Sequence, residues 1–210
     1  VAYRGRLRWE PFRTPVEGGG TRLREGGAYL VVGGVEGVGL AVAGYLAGHH
    51  RARLVLADRP ADSQDDGAAR RAFAVGAHRS LGGEAEIVDA DPTDVYSLRR
   101  AIAEARECFG TLHGAVVATG GEAAAQAFDD AADGESLDVL ALFAPVGSRG
   151  EAASLHALAE FRDRVRGEPT FAVAWEGGGA GGDAPLAGVS APEVGEGLGR
   201  GFPGGAGPRV

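Results

Sequence analysis

From Ala28 onward the apolar positions follow a repeating rhythm: a short apolar run, then a longer stretch with helical spacing. The runs predict strands over 28–33, 52–57, 84–89, 112–118, 138–143 and 170–175. The longer stretches predict helices over 37–48, 67–81, 94–109, 122–132, 150–166 and 191–201. Leu54-Val55-Leu56-Ala57 and Gly114-Ala115-Val116-Val117 are apolar without alternation, the pattern of strands covered by helices on both faces. This alternation predicts an α/β protein: a Rossmann-like, doubly wound parallel sheet with right-handed crossovers and helices on both faces. Asp94 is placed to cap the helix that runs to Phe109, and Gly110 to stop it.

Outside that region the rhythm is lost. Residues 3–9 alternate and predict a single edge strand with arginines on one face. Pro11, Pro15 and Gly18 to Gly20 read as a linker, and 177–188 as a mobile loop without periodicity. The domain plan is therefore an N-terminal strand and linker over 1–22 and a Rossmann domain over 23–210, shortened around 121–150. No internal repeat is present.

Composition narrows the function classes. A chain of 210 residues with 44% apolar content is long enough for one α/β domain with a substantial core. A net charge of −8 argues against a nucleic-acid partner, which needs a basic face. No apolar run reaches membrane-spanning length, so no membrane partner is expected. The single cysteine, Cys108, excludes an internal disulfide and suits a cytoplasmic location. The Val1 start and the absence of Met predict a segment of a larger polypeptide. All 21 basic Lys-or-Arg positions are Arg, which with the abundance of Ala and Gly reads as a coding bias.

The clearest candidate chemistry lies in Val31-Val32-Gly33-Gly34-Val35-Glu36-Gly37-Val38-Gly39, between the first strand and first helix of the rhythm. Gly33, Gly34, Gly37 and Gly39 let the backbone turn sharply and approach a pyrophosphate at a helix N-terminus. The same glycines also allow the first helix to pack closely on the sheet, and the spacing alone leaves both roles open. Glu36 places a carboxylate inside this loop. Asp58, ending the second strand, is suited to the ribose hydroxyls of NAD and would repel a 2′-phosphate; Arg59 beside it offsets part of that repulsion.

Further segments extend the pattern. Leu23 to Gly34, Arg53-Leu54-Val55-Leu56-Ala57-Asp58-Arg59, Ala90-Asp91-Pro92-Thr93-Asp94 and Phe109 to Gly120 follow in order, then Ala157-Leu158-Ala159, Arg166-Gly167-Glu168-Pro169, Phe171 to Trp175 and Ser190 to Val210. The series resembles the catalytic half of ketoreductase domains in modular type I polyketide synthases, a branch of the short-chain dehydrogenase/reductase type. The resemblance covers most of 23–210, and 3–9 resembles the strand that precedes this half in the family.

What the resemblance implies is a cofactor set of Gly33, Gly34, Gly37, Gly39, Asp58, Arg59, Asp91 and Gly120, with Asp91 in the turn beside the adenine and Gly120 in the small-residue ending of the fourth strand. It also implies a Ser at the end of the fifth strand, a Tyr on the next helix and a supporting Lys. Here Pro145 stands at the serine position, Arg149 to Arg166 contains no Tyr, and the chain has no Lys. No catalytic residue is therefore assigned. Correctly placed general acid catalysis is worth about 10²–10⁴-fold, so this departure predicts a degenerate, inactive ketoreductase-like domain with a vestigial cofactor set and no cofactor, or NADPH or NAD where binding persists. Its expected role is structural or docking, with neighbouring domains of the same synthase and its acyl carrier protein as partners. Two alternatives stand beside it: an NADPH-dependent reductase of β-ketoacyl thioesters completed by another segment, and a nucleotide-binding module without turnover.

Other constellations read more simply. Val146-Gly147-Ser148-Arg149-Gly150 nearly spells a hydrolase nucleophile elbow, but His156 lies on the same helix rather than on a later loop, and Ser148 reads as a helix cap. His49, His50, His78, His113 and His156 form no metal-ligand pattern. Cys108 is expected to pack within its helix, Asp62–Asp66 and Asp129–Asp133 to be solvated, and Trp9 and Trp175 to lie in the core or at a domain contact.

Overall fold

A computed structural model describes residues 2–4, 7–9, 22–60, 66–145 and 149–175. Two short strands, β1 (Ala2–Arg4) and β2 (Leu7–Trp9), pair antiparallel with Ala2 opposite Trp9. In place of the single edge strand expected over 3–9 there are thus two short strands, with β2 running back along β1. The expected linker around 11–20, the elbow segment 146–148 with Ser148, the loop 177–188 and the helix 191–201 lie outside the described residues.

The main sheet has six parallel strands in the order β5-β4-β3-β6-β7-β8. These are β3 (Ala28–Val32), β4 (Arg53–Asp58), β5 (Glu84–Asp89), β6 (Gly114–Val117), β7 (Val139–Pro145) and β8 (Thr170–Trp175). Between them run α1 (Gly37–His50), α2 (Gly67–Ser80), α3 (Val95–Phe109), α4 (Gly121–Ala131) and α5 (Arg149–Phe161). The order reverses between β3 and β6, which makes the carboxyl ends of those two strands the topological switch point.

Both faces of the sheet are covered, as the unbroken apolar runs require. In β3, Leu30 and Val32 join one core cluster with Leu98, Ile102 and Phe128 of α3 and α4, while Tyr29 and Val31 join another with Val42 and Leu46 of α1. Alternate residues of one strand thus feed two cores, the two-residue period of a strand buried on both sides. Asp94 caps α3 as expected, its carboxylate accepting the Ser97 N–H at 2.8 Å, and Gly110 ends the helix with φ +81°. Cys108 is exposed, contrary to the expectation of a packed thiol. The buried stripe of α3 is Leu98, Ala101, Ile102 and Ala105, and Phe109 continues it, which leaves position 108 turned to solvent.

The opposite, amino-terminal edge of the sheet is tied by polar contacts. Arg24 grips Asp138 with two nitrogens at 2.8 and 2.6 Å, and the Tyr29 hydroxyl accepts the Arg24 N–H at 2.7 Å. His113 Nδ1 accepts the Ala28 N–H at 3.0 Å, which requires the neutral ring. Burial lowers the His113 pKa first of all, and the Arg24 charge lowers it further. Among the described residues no helix is long and apolar enough to cross a membrane.

Candidate functional site

The glycine turn sits at the switch point. Gly33 leaves β3 with φ +80°, its N–H donating to the Ala57 carbonyl of β4 at 2.8 Å. A methyl group on Gly33 would fall 2.7 Å from the Thr119 side chain, and one on Gly34 would fall 2.8 Å from Leu56. A methyl on Gly39 would lie 2.0 Å from the Gly33 carbonyl oxygen. Close packing therefore favours glycine at all three, with α1 meeting its own entry turn at Gly39, the turn meeting Thr119 at Gly33 and Leu56 of β4 meeting Gly34. Gly37 differs: φ is +56° and nothing lies within 4 Å of an added methyl, so its requirement is conformational and its surroundings are open.

Glu36 is the N-cap residue of α1, extended in backbone, and its side chain makes no capping bond. The first-turn N–H groups of α1 have no intrahelical partner and form a positive helix end. The Glu36 carboxylate is 70% exposed beside this end, 4.0 Å from Arg70 of α2.

The other expected site residues form a continuous chain of contacts around the same edge. Asp58, at the end of β4, accepts the Arg59 N–H at 2.8 Å. Burial raises the Asp58 pKa, the Arg59 and Val35 N–H groups and the Arg71 charge oppose that rise, and the Glu36 charge adds to it. Arg59 reaches Asp91 at 3.5 Å. Asp91 accepts from both the backbone N–H and the hydroxyl of Thr93 at 2.8 Å each, and this bonding lowers its pKa. Gly120, with φ +75°, closes the ring: a methyl there would lie 3.6 Å from Thr93 and 2.6 Å from Ala124. All eight expected residues thus share one edge of the sheet.

Sequence reasoning did not single out four members of this ring. Thr93 holds Asp91 and Thr119 packs on Gly33. Arg71 bonds the Arg59 carbonyl at 2.9 Å and Asp89 at 2.5 Å, and Arg70 faces Glu36. The Asp91-Pro92-Thr93 triplet is a local turn signal that points to the first; the others are brought in only by the sheet.

A dinucleotide of the kind the resemblance implies fits this edge in part. The turn into α1 suits a pyrophosphate, and Asp58 suits an adenosine ribose diol. A 2′-phosphate is less well matched, because Asp58 puts a carboxylate at the strand end while Arg59, Arg70 and Arg71 are paired with Asp91, Glu36 and Asp89.

The reductase side of the edge is different. β7 ends at Pro145, in register with Trp175 of β8. Tyr29 is buried in β3, Tyr45 lies on α1 and the exposed Tyr96 on α3, so none of them stands on α5. His156, on α5, is exposed. Past α5 a π-helical turn over Arg162–Arg166 carries Arg162, which is 1% exposed. Arg162 ion-pairs with Asp129 of α4 and with Glu168 at 2.8 Å, and its Nε–H donates to the Thr170 hydroxyl at 3.3 Å. Asp129 is therefore not the solvated helix end that its acidic neighbours suggest: it is the partner that a buried guanidinium requires. Among the described residues no cluster of side chains could hold a metal ion.

A six-stranded parallel sheet with a glycine turn at its switch point defines a Rossmann-like α/β protein. The family model described as the KR domain matches residues 27–142, more than half of the chain, and the chain belongs to that family. Polyketide synthase PksM of Bacillus subtilis is 29% identical over 117 residues, which are 56% of this chain and 3% of PksM. A ketoreductase domain from the bacillaene assembly line superposes with a TM-score of 0.64 at 23% identity, covering 80% of this chain and 47% of that one. A dehydrogenase from Burkholderia cenocepacia with bound NADP superposes at 0.61 with 20% identity, covering 74% and 71%. These structural likenesses concern the fold; the chain spans under half of the bacillaene structure and a small part of PksM.

Proposed function

We propose that this chain is a ketoreductase-type domain of a polyketide synthase that carries out no carbonyl reduction and acts as a structural or docking unit within the larger enzyme. One observation carries the reading: the strand and helix that should present a hydroxyl and a phenol to a ketone present Pro145 and a tyrosine-free α5, in a chain without lysine. Proline has neither a hydroxyl nor an N–H to polarise a carbonyl. Hydride transfer to a ketone leaves an alkoxide that needs a proton, and Cys108, the one thiol, lies on α3 facing solvent.

In this reading residues 23–210 are the Rossmann domain and 1–22 its N-terminal appendage, and the partners are neighbouring domains of the same synthase, its acyl carrier protein included. Gly33, Gly34, Gly37, Gly39, Asp58, Arg59, Asp91 and Gly120 are the nucleotide-side residues. The packing demands on Gly33, Gly34 and Gly39 support a role for them in the fold that needs no bound nucleotide. The test is consumption of NADPH and of NADH by the purified protein with a β-ketoacyl thioester. No rate above the protein-free control is expected; sustained turnover with either would overturn the proposal. Deletion of the domain from the parent polypeptide should reduce the solubility or activity of its neighbours.

A further inference from the structure

We infer that the nucleotide edge of this domain discriminates against a ribose 2′-phosphate and accepts dinucleotides that carry a free adenosine ribose diol, NAD(H) rather than NADP(H). The inference rests on the reading of this edge as the nucleotide side of the domain and is independent of whether the domain turns substrate over.

Asp58 ends β4, about twenty residues beyond the glycine turn, where a carboxylate accepts hydrogen bonds from ribose hydroxyls. The Arg59 N–H donates to its carboxylate at 2.8 Å and holds it at the strand end. A carboxylate bound in this way accepts from a diol without rearrangement. A 2′-phosphate has no hydrogen of use to it and brings further negative charge.

The surroundings do not relieve that conflict. Glu36, the N-cap residue of α1, adds a second carboxylate on this edge of the sheet. Three arginines are near, and each already serves a neighbour. Arg59 is 3.5 Å from Asp91, whose position is set by two bonds from Thr93. Arg71 lies against Asp89 at 2.5 Å and the Arg59 carbonyl at 2.9 Å. Arg70 faces Glu36 at 4.0 Å. Arg59 is the residue that could turn to a 2′-phosphate, but doing so breaks its pair with Asp91 and leaves Asp58 directly beneath the phosphate. Like charges brought together at a partly buried site cost enough to lower affinity by about tenfold or more.

Isothermal titration of the whole protein with NADH and with NADPH at low ionic strength tests this. NADH is expected to bind at least about tenfold more tightly than NADPH, and the gap to narrow as salt screens the two carboxylates. Asp58→Ser, checked for native circular dichroism, should shrink or invert the ratio by strengthening NADPH. Equal or tighter binding of NADPH by the unaltered protein, or no saturable heat with NADH at millimolar concentration, would overturn the inference. NADH oxidation on adding a β-ketoacyl thioester would instead sink the proposal of an inactive domain and leave this preference standing.

Discussion

The two sides of the switch point are built on different kinds of residue. On one side, β3, the turn into α1 and β4 are shaped by glycines whose absence of a side chain is a packing requirement: a methyl on Gly39 would lie 2.0 Å from a carbonyl oxygen. On the other, β7 and α5 end in ordinary residues, and the buried polar group there is Arg162, bridging α4, α5 and β8 through Asp129, Glu168 and Thr170. The first set is coupled to folding whether or not a nucleotide binds. The hydroxyl, phenol and amine of a reductase are coupled to chemistry alone, so a stable fold does not require them. An intact glycine turn therefore says little about reduction, and the far side of the sheet says much more.

The comparison breaks most readily at Arg162. Replacing it with Ala leaves Glu168 without its guanidinium and Asp129 with Arg166 alone, and a loss of about 3 kcal/mol in unfolding free energy is expected in urea titration. A loss under about 1 kcal/mol would mean that α4 and α5 hold together without the guanidinium. Gly39→Ala comes next, at about 2–3 kcal/mol, because the turn has to move to admit the methyl. If that variant kept wild-type stability, the packing account of the glycine turn would be wrong.

Acid should weaken the fold through two histidines that lie away from the site. His78, buried on α2, has a pKa lowered by burial, and His113 is lowered as well. Both are favoured neutral in the folded state, so their contribution is intact above the ordinary imidazole range. It is lost as pH falls through that range toward the lowered folded values. A decline in denaturant midpoints, mostly from His78, should appear as pH falls from about 8 to about 5. His78→Leu should flatten that slope. Gly37→Ala is the smallest effect, about 1 kcal/mol, since only its positive φ opposes the methyl. A cost equal to that of Gly39→Ala would erase the distinction between packing glycines and the open one.

Much of this is legible in the sequence. Periodicity placed the six parallel strands and the first five helices to within a few residues, because burial on both faces leaves a continuous apolar signature in the central strands, while the edge strand β5 mixes acidic and apolar residues. The Asp94 cap and the Gly110 stop are local rules that no tertiary contact had to supply. The antiparallel pair of β1 and β2 was missed, because alternation alone does not show where one strand gives way to two.

The sequence by itself determined the sheet, the glycine turn and the departure at Pro145 and α5, since each is written in consecutive residues or in the absence of a residue type. Only the tertiary structure decided which partners the charged groups take. Arg59 meets Asp91, Arg71 meets Asp89, and Arg162 meets Asp129 across separations that no local pattern encodes. The physical reason is that parallel strand pairing brings the ends of distant segments to one edge, and electrostatic pairing there depends on distance in space rather than along the chain.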